Sequence, residues 1–217
     1  MIATAKTTVV YVTSSQFKAQ ENEIVAQDCT LKDGTPVHEL FEFDIRPVHV
    51  KEVLEIDLKA IVMAEVTKAY SQIKVPCIVE HAGLIFDGYD LYPGGLTKPM
   101  WDFLQDKFIE ETHSAGRRAT ARAVVAYCDG RSAHTFVGET TGKIADKPRG
   151  NRQFYWDTIF IPDDSAGKVK DKTYAEIFDD PGLGLKYKMT KLSQSSRAML
   201  AFLEFRRLNQ PDLWPRG

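Results

Sequence analysis

A β-branched run at residues 7–12 (Thr-Thr-Val-Val-Tyr-Val) passes into a hydroxyl-rich turn, Thr13-Ser14-Ser15, and a polar stretch to residue 22 suited to open a helix. Strand, turn and helix in that order direct the chain toward an α/β fold. The same arrangement offers a seat for phosphate, because the free N–H groups of a helix amino terminus point outward there. Thr13, Ser15 and Lys18 are the side chains such a seat would use. Taken alone, a Thr and a Lys five residues apart are equally what a helix cap and a solvated lysine look like.

Downstream, residues 56–73 place Ala60, Val62, Met63, Val66, Ala69 and Tyr70 at helical spacing, and the pattern stops before Pro76. A long amphipathic helix is expected there, followed by a strand at residues 77–80. Residues 122–127 and 134–137 read as a hairpin closed by Asp129-Gly130, and residues 194–208 as a carboxy-terminal amphipathic helix. Residues 163–171 are the expected exposed loop and residues 209–217 an irregular tail. No repeat or low-complexity linker interrupts the chain, so residues 1–217 are read as a single domain.

Composition serves mainly to exclude. With 43% hydrophobic and 27% charged residues the chain can bury a sizeable core, and a formal charge of −2 argues against a nucleic-acid backbone as partner. No apolar run approaches the length of a membrane span, and residues 1–6 lack the apolar segment of a secretory signal. A cytoplasmic protein without a membrane partner is expected. Cys29, Cys77 and Cys128 are too scattered for a disulfide framework or a zinc cluster. Cys77 and Cys128 sit in apolar runs and are expected to be buried thiols.

The densest chemistry lies at residues 148–157, Pro-Arg-Gly-Asn-Arg-Gln-Phe-Tyr-Trp-Asp, followed by Lys172-Thr173-Tyr174-Ala175-Glu176. An aromatic ring can stack on a nucleobase, a positioned Asp can read its hydrogen-bonding edge, and guanidinium groups can meet phosphate. The bland alternative makes Phe154, Trp156 and Phe160 inward residues of a buried strand and Asp157 a turn carboxylate. The block resembles the inosine triphosphate pyrophosphatase family, whose pattern is P-R-G, three residues, F-G-[WY]-D, and later K-T-[YF]-A-E. Tyr155 stands where the family has a small residue. Phe136-Val137-Gly138 and Gly142-Lys143-Ile144 resemble the family's preceding segment, and Pro93-Gly94-Gly95-Leu96-Thr97-Lys98 its P-G-x-x-x-K loop.

The resemblance implies an α/β fold with a long twisted mixed sheet flanked by helices, two lobes around a central nucleotide cleft, and a homodimer. It implies a purine nucleoside triphosphate of the dITP, ITP or XTP type as ligand, with Mg²⁺. The implied nucleotide contacts are Thr13, Ser15, Lys18, Lys98, Arg149, Phe154, Trp156, Asp157, Lys191, Ser196 and Arg197. Ser15 replaces the family's Asn, and Ser196 in Lys191-Leu192-Ser193-Gln194-Ser195-Ser196-Arg197 replaces its His.

The main departure is Val79-Glu80-His81-Ala82-Gly83-Leu84, where the family carries two adjacent acids. Glu80 is the implied metal ligand, and Glu80 and His81 the implied catalytic pair. Glu52, Glu55 and Asp57 are further acids that could supplement Glu80 as metal ligands. A histidine accepts a proton near neutral pH but brings no negative charge for hydrated Mg²⁺. Losing a general base costs about 10²–10⁴-fold in rate. Two functions are open: a catalytically impaired sensor that binds the nucleotide and controls a partner effector, for instance in antiphage defence, or an active Mg²⁺-dependent pyrophosphohydrolase. His81 tilts the sequence reading toward the sensor.

Overall fold

The computed structural model describes residues 6–115 and 117–209, the side chains of residues 113–115 and 152–154 excepted. Its centre is a six-stranded mixed sheet in the order β2-β1-β3-β4-β5-β6. The strands are β1 (Thr7–Val12), β2 (Phe41–Arg46), β3 (Cys77–Phe86), β4 (Arg118–Cys128), β5 (Ala133–Ile144) and β6 (Phe160–Pro162). β2, β1 and β3 run parallel, and β3 to β6 alternate in direction. The helices are α1 (Gln16–Asp28), α2 (Val37–Leu40), α3 (Leu58–Ile73), α4 (Thr97–Leu104), α5 (Tyr174–Asp179), α6 (Gly184–Tyr187) and α7 (Gln194–Leu208).

Both faces of the sheet are covered along Ala123–Cys128, which explains why β4 is continuously apolar there, whereas Arg118–Arg122 alternate polar and apolar. Ala123, Val125 and Tyr127 pack with Val25 of α1 and with Met199, Phe202 and Leu203 of α7. Their neighbours Val124, Ala126 and Cys128 face the other way, onto Ile61, Val62, Val66 and Ala69 of α3. A third cluster, built on Phe86, Trp101, Phe108, Phe160 and Tyr174, closes the far end of the β3–β4–β5 hairpins. All three cysteines are buried free thiols.

The long helix begins at Leu58 because the Asp57 side chain accepts the Lys59 amide at 2.9 Å and caps it. The residue expected to start it, Ile56, stays outside the helix and accepts the Gly95 amide at 2.8 Å through its carbonyl. The expected hairpin is present and longer than its apolar patches, running from Arg118 to Ile144 around Asp129 and Gly130. The carboxy-terminal helix matches its expected limits, and residues 163–171 form a largely exposed loop pinned by the buried Val169. Beyond Asn209 the expected tail lies outside the described residues.

The strand expected at residues 77–80 continues to Phe86, so Glu80 and His81 lie in mid-strand rather than at a strand end. β4 pairs with β3 along its whole length and extends it. Gly83 makes this possible on the other side. A Cβ there would stand 2.2 Å from the Gly94 carbonyl oxygen, so only glycine lets the residue 93–95 turn lie flat against β3. That turn leads directly into α4 and sets the position of Lys98.

Candidate functional site

β1 stops at Val12 while β3 runs on, and the chain peels away through Thr13 and Ser14 into α1. A cavity of about 550 Å³ opens in the gap. It lies at the carboxyl end of the parallel strands, where open α/β sheets leave a crevice. Thr13, Ser15, Lys18 and Glu21 line one wall, Glu80 and His81 the floor, Lys98 and residues 155–157 the opposite wall, and Gln194 and Ser195 one end.

Strand geometry sends neighbouring side chains to opposite faces, and it separates Glu80 from His81. Glu80 turns toward the α1 and α7 side. Its carboxylate accepts the Tyr11 hydroxyl at 3.1 Å and the Ser195 hydroxyl at 3.0 Å, and lies 3.2 Å from the Lys18 ammonium. Burial alone would lift the Glu80 carboxyl, but Lys18, Ser195 and Tyr11 outweigh it and hold the pKa below its ordinary value. The Lys18 ammonium also donates to the Glu80 carbonyl.

His81 turns toward α3, where its Nδ1 lies 3.8 Å from Oε1 of Glu65. Burial, reinforced by Lys18, pushes the imidazole down to about 4, so it is neutral at pH 7 with a lone pair to offer. Glu65 is pushed up to about 7 by burial and by the charge of Glu52. Glu52, Glu65 and His81 bring one ligand atom each to within 4.8 Å of one another, and among the described residues they are the one such cluster that could hold a metal. Glu55 and Asp57 accept backbone amides at the start of α3.

Across the cavity, residues 152–158 form a short 3₁₀ helix. Trp156 is 8% exposed and packs edge-on to Phe160, with ring centroids 6.0 Å apart, so it belongs to the core while its edge reaches the cavity. Tyr155 adopts φ +52°, and its ring stands 40% exposed at the cavity wall, 5.6 Å from the Lys98 ammonium. The Phe154 side chain lies outside the described residues. Asp157 is buried and paired with Lys188 at 2.5 Å, and Lys188 in turn meets Glu21 at 2.9 Å. Burial raises Asp157 to about 6. Against its own desolvation, Asp157 and Glu21 keep the Lys188 ammonium above its ordinary value.

The structure therefore gathers Thr13, Ser15, Lys18, Glu80, His81, Lys98, Trp156 and Asp157 around one cavity. Ser15 spends its hydroxyl on the α1 cap, accepting the Lys18 amide at 3.3 Å. Arg149, Lys191, Ser196 and Arg197 are not among the lining residues. Arg149 pairs with Glu176 at 3.2 Å and bonds the Asp171 carbonyl, tying its loop to α5. Lys191 is exposed, Ser196 is buried, and Arg197 donates to the Glu139 carbonyl. A single π-helical turn, Lys188–Leu192, precedes α7, and Ser193 in extended conformation separates the two. Lys188 at the start of that turn and Ser195 in the first turn of α7 face the cavity.

Sequence reading missed Glu21, Glu65, Lys188 and Ser195. Glu65 alone left a signal, since it interrupts the buried stripe of Ile61, Val62, Val66 and Ala69 on α3.

A family model described as the Ham1 family matches residues 9–204. The chain belongs to the Ham1 family. An inosine triphosphate pyrophosphatase of Candida glabrata is 32% identical over 211 residues, spanning 93% of this chain and 98% of that protein. A dITP/XTP pyrophosphatase of Methanopyrus kandleri is 34% identical over 137 residues, 62% of this chain and 66% of that one. The structure of a HAM1 protein from Coxiella burnetii superposes with a TM-score of 0.63 at 19% identity, covering 91% of this chain and 99% of the other. At that identity the likeness to the Coxiella protein establishes the shared Ham1 fold.

Proposed function

We propose that this Ham1 chain hydrolyses a deaminated purine nucleoside triphosphate of the dITP, ITP or XTP type between its α and β phosphorus atoms, releasing pyrophosphate. The observation that carries the reading is the cavity between the α1 amino terminus and the residue 155–157 wall, with Lys18 and Lys98 facing into it. The triphosphate lies against the first turn of α1, where outward amides and the Lys18 ammonium offset its charge. Lys98 approaches from the opposite wall, and the purine lies toward Tyr155 and Asp157. In this reading the cavity serves as the nucleotide cleft that the family resemblance implies.

Glu80 has a positioning role in this reading. Its carboxylate, held by Tyr11 and Ser195, fixes Lys18 over the floor. His81 brings a neutral imidazole whose lone pair can take a proton or bind a cation. The family carries the expectation of a divalent cation, which would neutralise phosphate charge when bound. An imidazole in the donor set suits Mg²⁺ poorly, since that ion prefers an all-oxygen shell.

The sensor reading rests on a specific observation. The Glu80 carboxylate is fully engaged by structural partners, and no second acid stands beside it in the sequence. The two readings separate in one experiment: calorimetric titration with dITP, dATP and dGTP in the presence of a divalent cation, with pyrophosphate release followed in the same samples. Release selective for dITP is expected. Tight selective binding without release would replace the enzyme by the sensor, and absence of binding would overturn both.

A further inference from the structure

We propose that Glu52, Glu65 and His81 form a binding site for a first-row transition dication, of which Mn²⁺ and Zn²⁺ are the representative members, and that the site prefers such an ion to Mg²⁺. The inference concerns the cavity of the proposed hydrolysis and rests on that reading for its role, whereas ion binding itself is read without nucleotide.

Three separate elements converge on the site. Glu52 comes from the segment between β2 and α3, Glu65 from the middle of α3, and His81 from β3. Glu65 supplies the observation that asks for a ligand. It is 7% exposed, and its Oε1, directed at His81, has no hydrogen-bond partner. A buried carboxylate oxygen without a donor is costly, and an ion is among the standard explanations for one. Lys18 and Lys68 act on Glu65 only through space, Lys18 being bonded to the carboxylate and carbonyl of Glu80 and Lys68 to the Lys51 carbonyl.

The donor set decides the class of ion. Two carboxylates balance a dication, and the neutral imidazole favours Mn²⁺, Fe²⁺ or Zn²⁺ over Mg²⁺. Ligand atoms on one such ion at about 2.0–2.2 Å stand no more than about 4.4 Å apart. The present spread of up to 4.8 Å closes with a small movement of Glu52, which is exposed and carried on a long side chain. Glu80 takes no part, being held by Tyr11 and Ser195 on the opposite face.

The test uses the full chain, stripped of metal and free of nucleotide, titrated with Mn²⁺ while the electron paramagnetic resonance signal of the free ion is followed. One ion per chain is expected, resistant to roughly tenfold excess Mg²⁺ and displaced by Zn²⁺. His81→Gln and Glu65→Gln are expected to weaken binding by at least about tenfold. Glu52→Gln, at an exposed position where folding is not at risk, is expected to weaken it measurably, and Glu55→Gln to leave it unchanged. No binding at millimolar Mn²⁺, equal competition by Mg²⁺, or wild-type affinity in both Glu52→Gln and His81→Gln would overturn the proposal. Mn²⁺ binding without dITP hydrolysis would sustain this site while removing the enzymatic reading, and hydrolysis without Mn²⁺ binding would do the reverse.

Discussion

Ser195, the second residue of α7, donates a 3.0 Å hydrogen bond to the carboxylate of Glu80 in β3, 115 residues earlier in the chain. The bond joins the end of the cavity to its floor. The next residue, Ser196, is buried, whereas Ser195 is partly exposed, and the Ser196 hydroxyl has no partner. Ser195→Ala is therefore expected to cost about 1.5–3 kcal/mol, the range for a hydrogen bond to a charged group. Ser196→Ala, which keeps the backbone amide of the α7 cap, should stay within about 0.5 kcal/mol. Urea denaturation midpoints of the two variants at neutral pH check the contrast.

Lys188 is the buried cation between Asp157 and Glu21. Replacing it by Met leaves Asp157 without its partner in a water-poor wall. A loss of about 3–5 kcal/mol is expected. Restoring neutrality with Lys188→Met and Asp157→Asn together should recover a measurable part of it, and a double-mutant cycle by chemical denaturation reads the coupling.

Asp157 also sets a pH dependence. Burial raises its carboxyl to about 6 in the folded protein, whereas an unfolded Asp titrates near 3.9. Between about pH 4 and pH 6 the folded state holds the extra proton, so stability falls as pH rises across that window. Above pH 6 this contribution is flat. Asp157→Asn should remove that part of the slope, and denaturation series at about pH 4.5 and 6.5 on both proteins measure it.

Tyr155 occupies a left-handed backbone position, φ +52°, with its ring at the cavity wall. Left-handed geometry costs a non-glycine residue about 1–2 kcal/mol. Tyr155→Gly should hold or raise thermal stability, while removing an exposed stacking surface. If the purine lies there, dITP affinity falls by about 1–3 kcal/mol, readable by calorimetry. Trp156→Ala should do the opposite, costing about 3–5 kcal/mol of stability through a core cavity.

The sequence by itself determined the elements whose signals are local. The Thr7–Val12 strand, the phosphate-type turn at Thr13, the long helix ending before Pro76 and the α7 limits are all set by side-chain periodicity and caps. The resemblance carried by residues 148–157 and 172–176 placed the chain in its family. Local pattern even held one unread clue, the carboxylate of Glu65 inside an apolar helix stripe. Only the tertiary structure decided which polar groups meet. Strand alternation puts Glu80 and His81 on opposite faces, giving one to Ser195 and the other to Glu65. The turn at Lys188–Leu192 and the helix that restarts after Ser193 bring Lys188 and Ser195 to the cavity, while Lys191 is exposed and Ser196 buried. Which polar side chains of these short turns meet the cavity is settled by packing against residues distant in the chain, which a local hydrophobic pattern does not record.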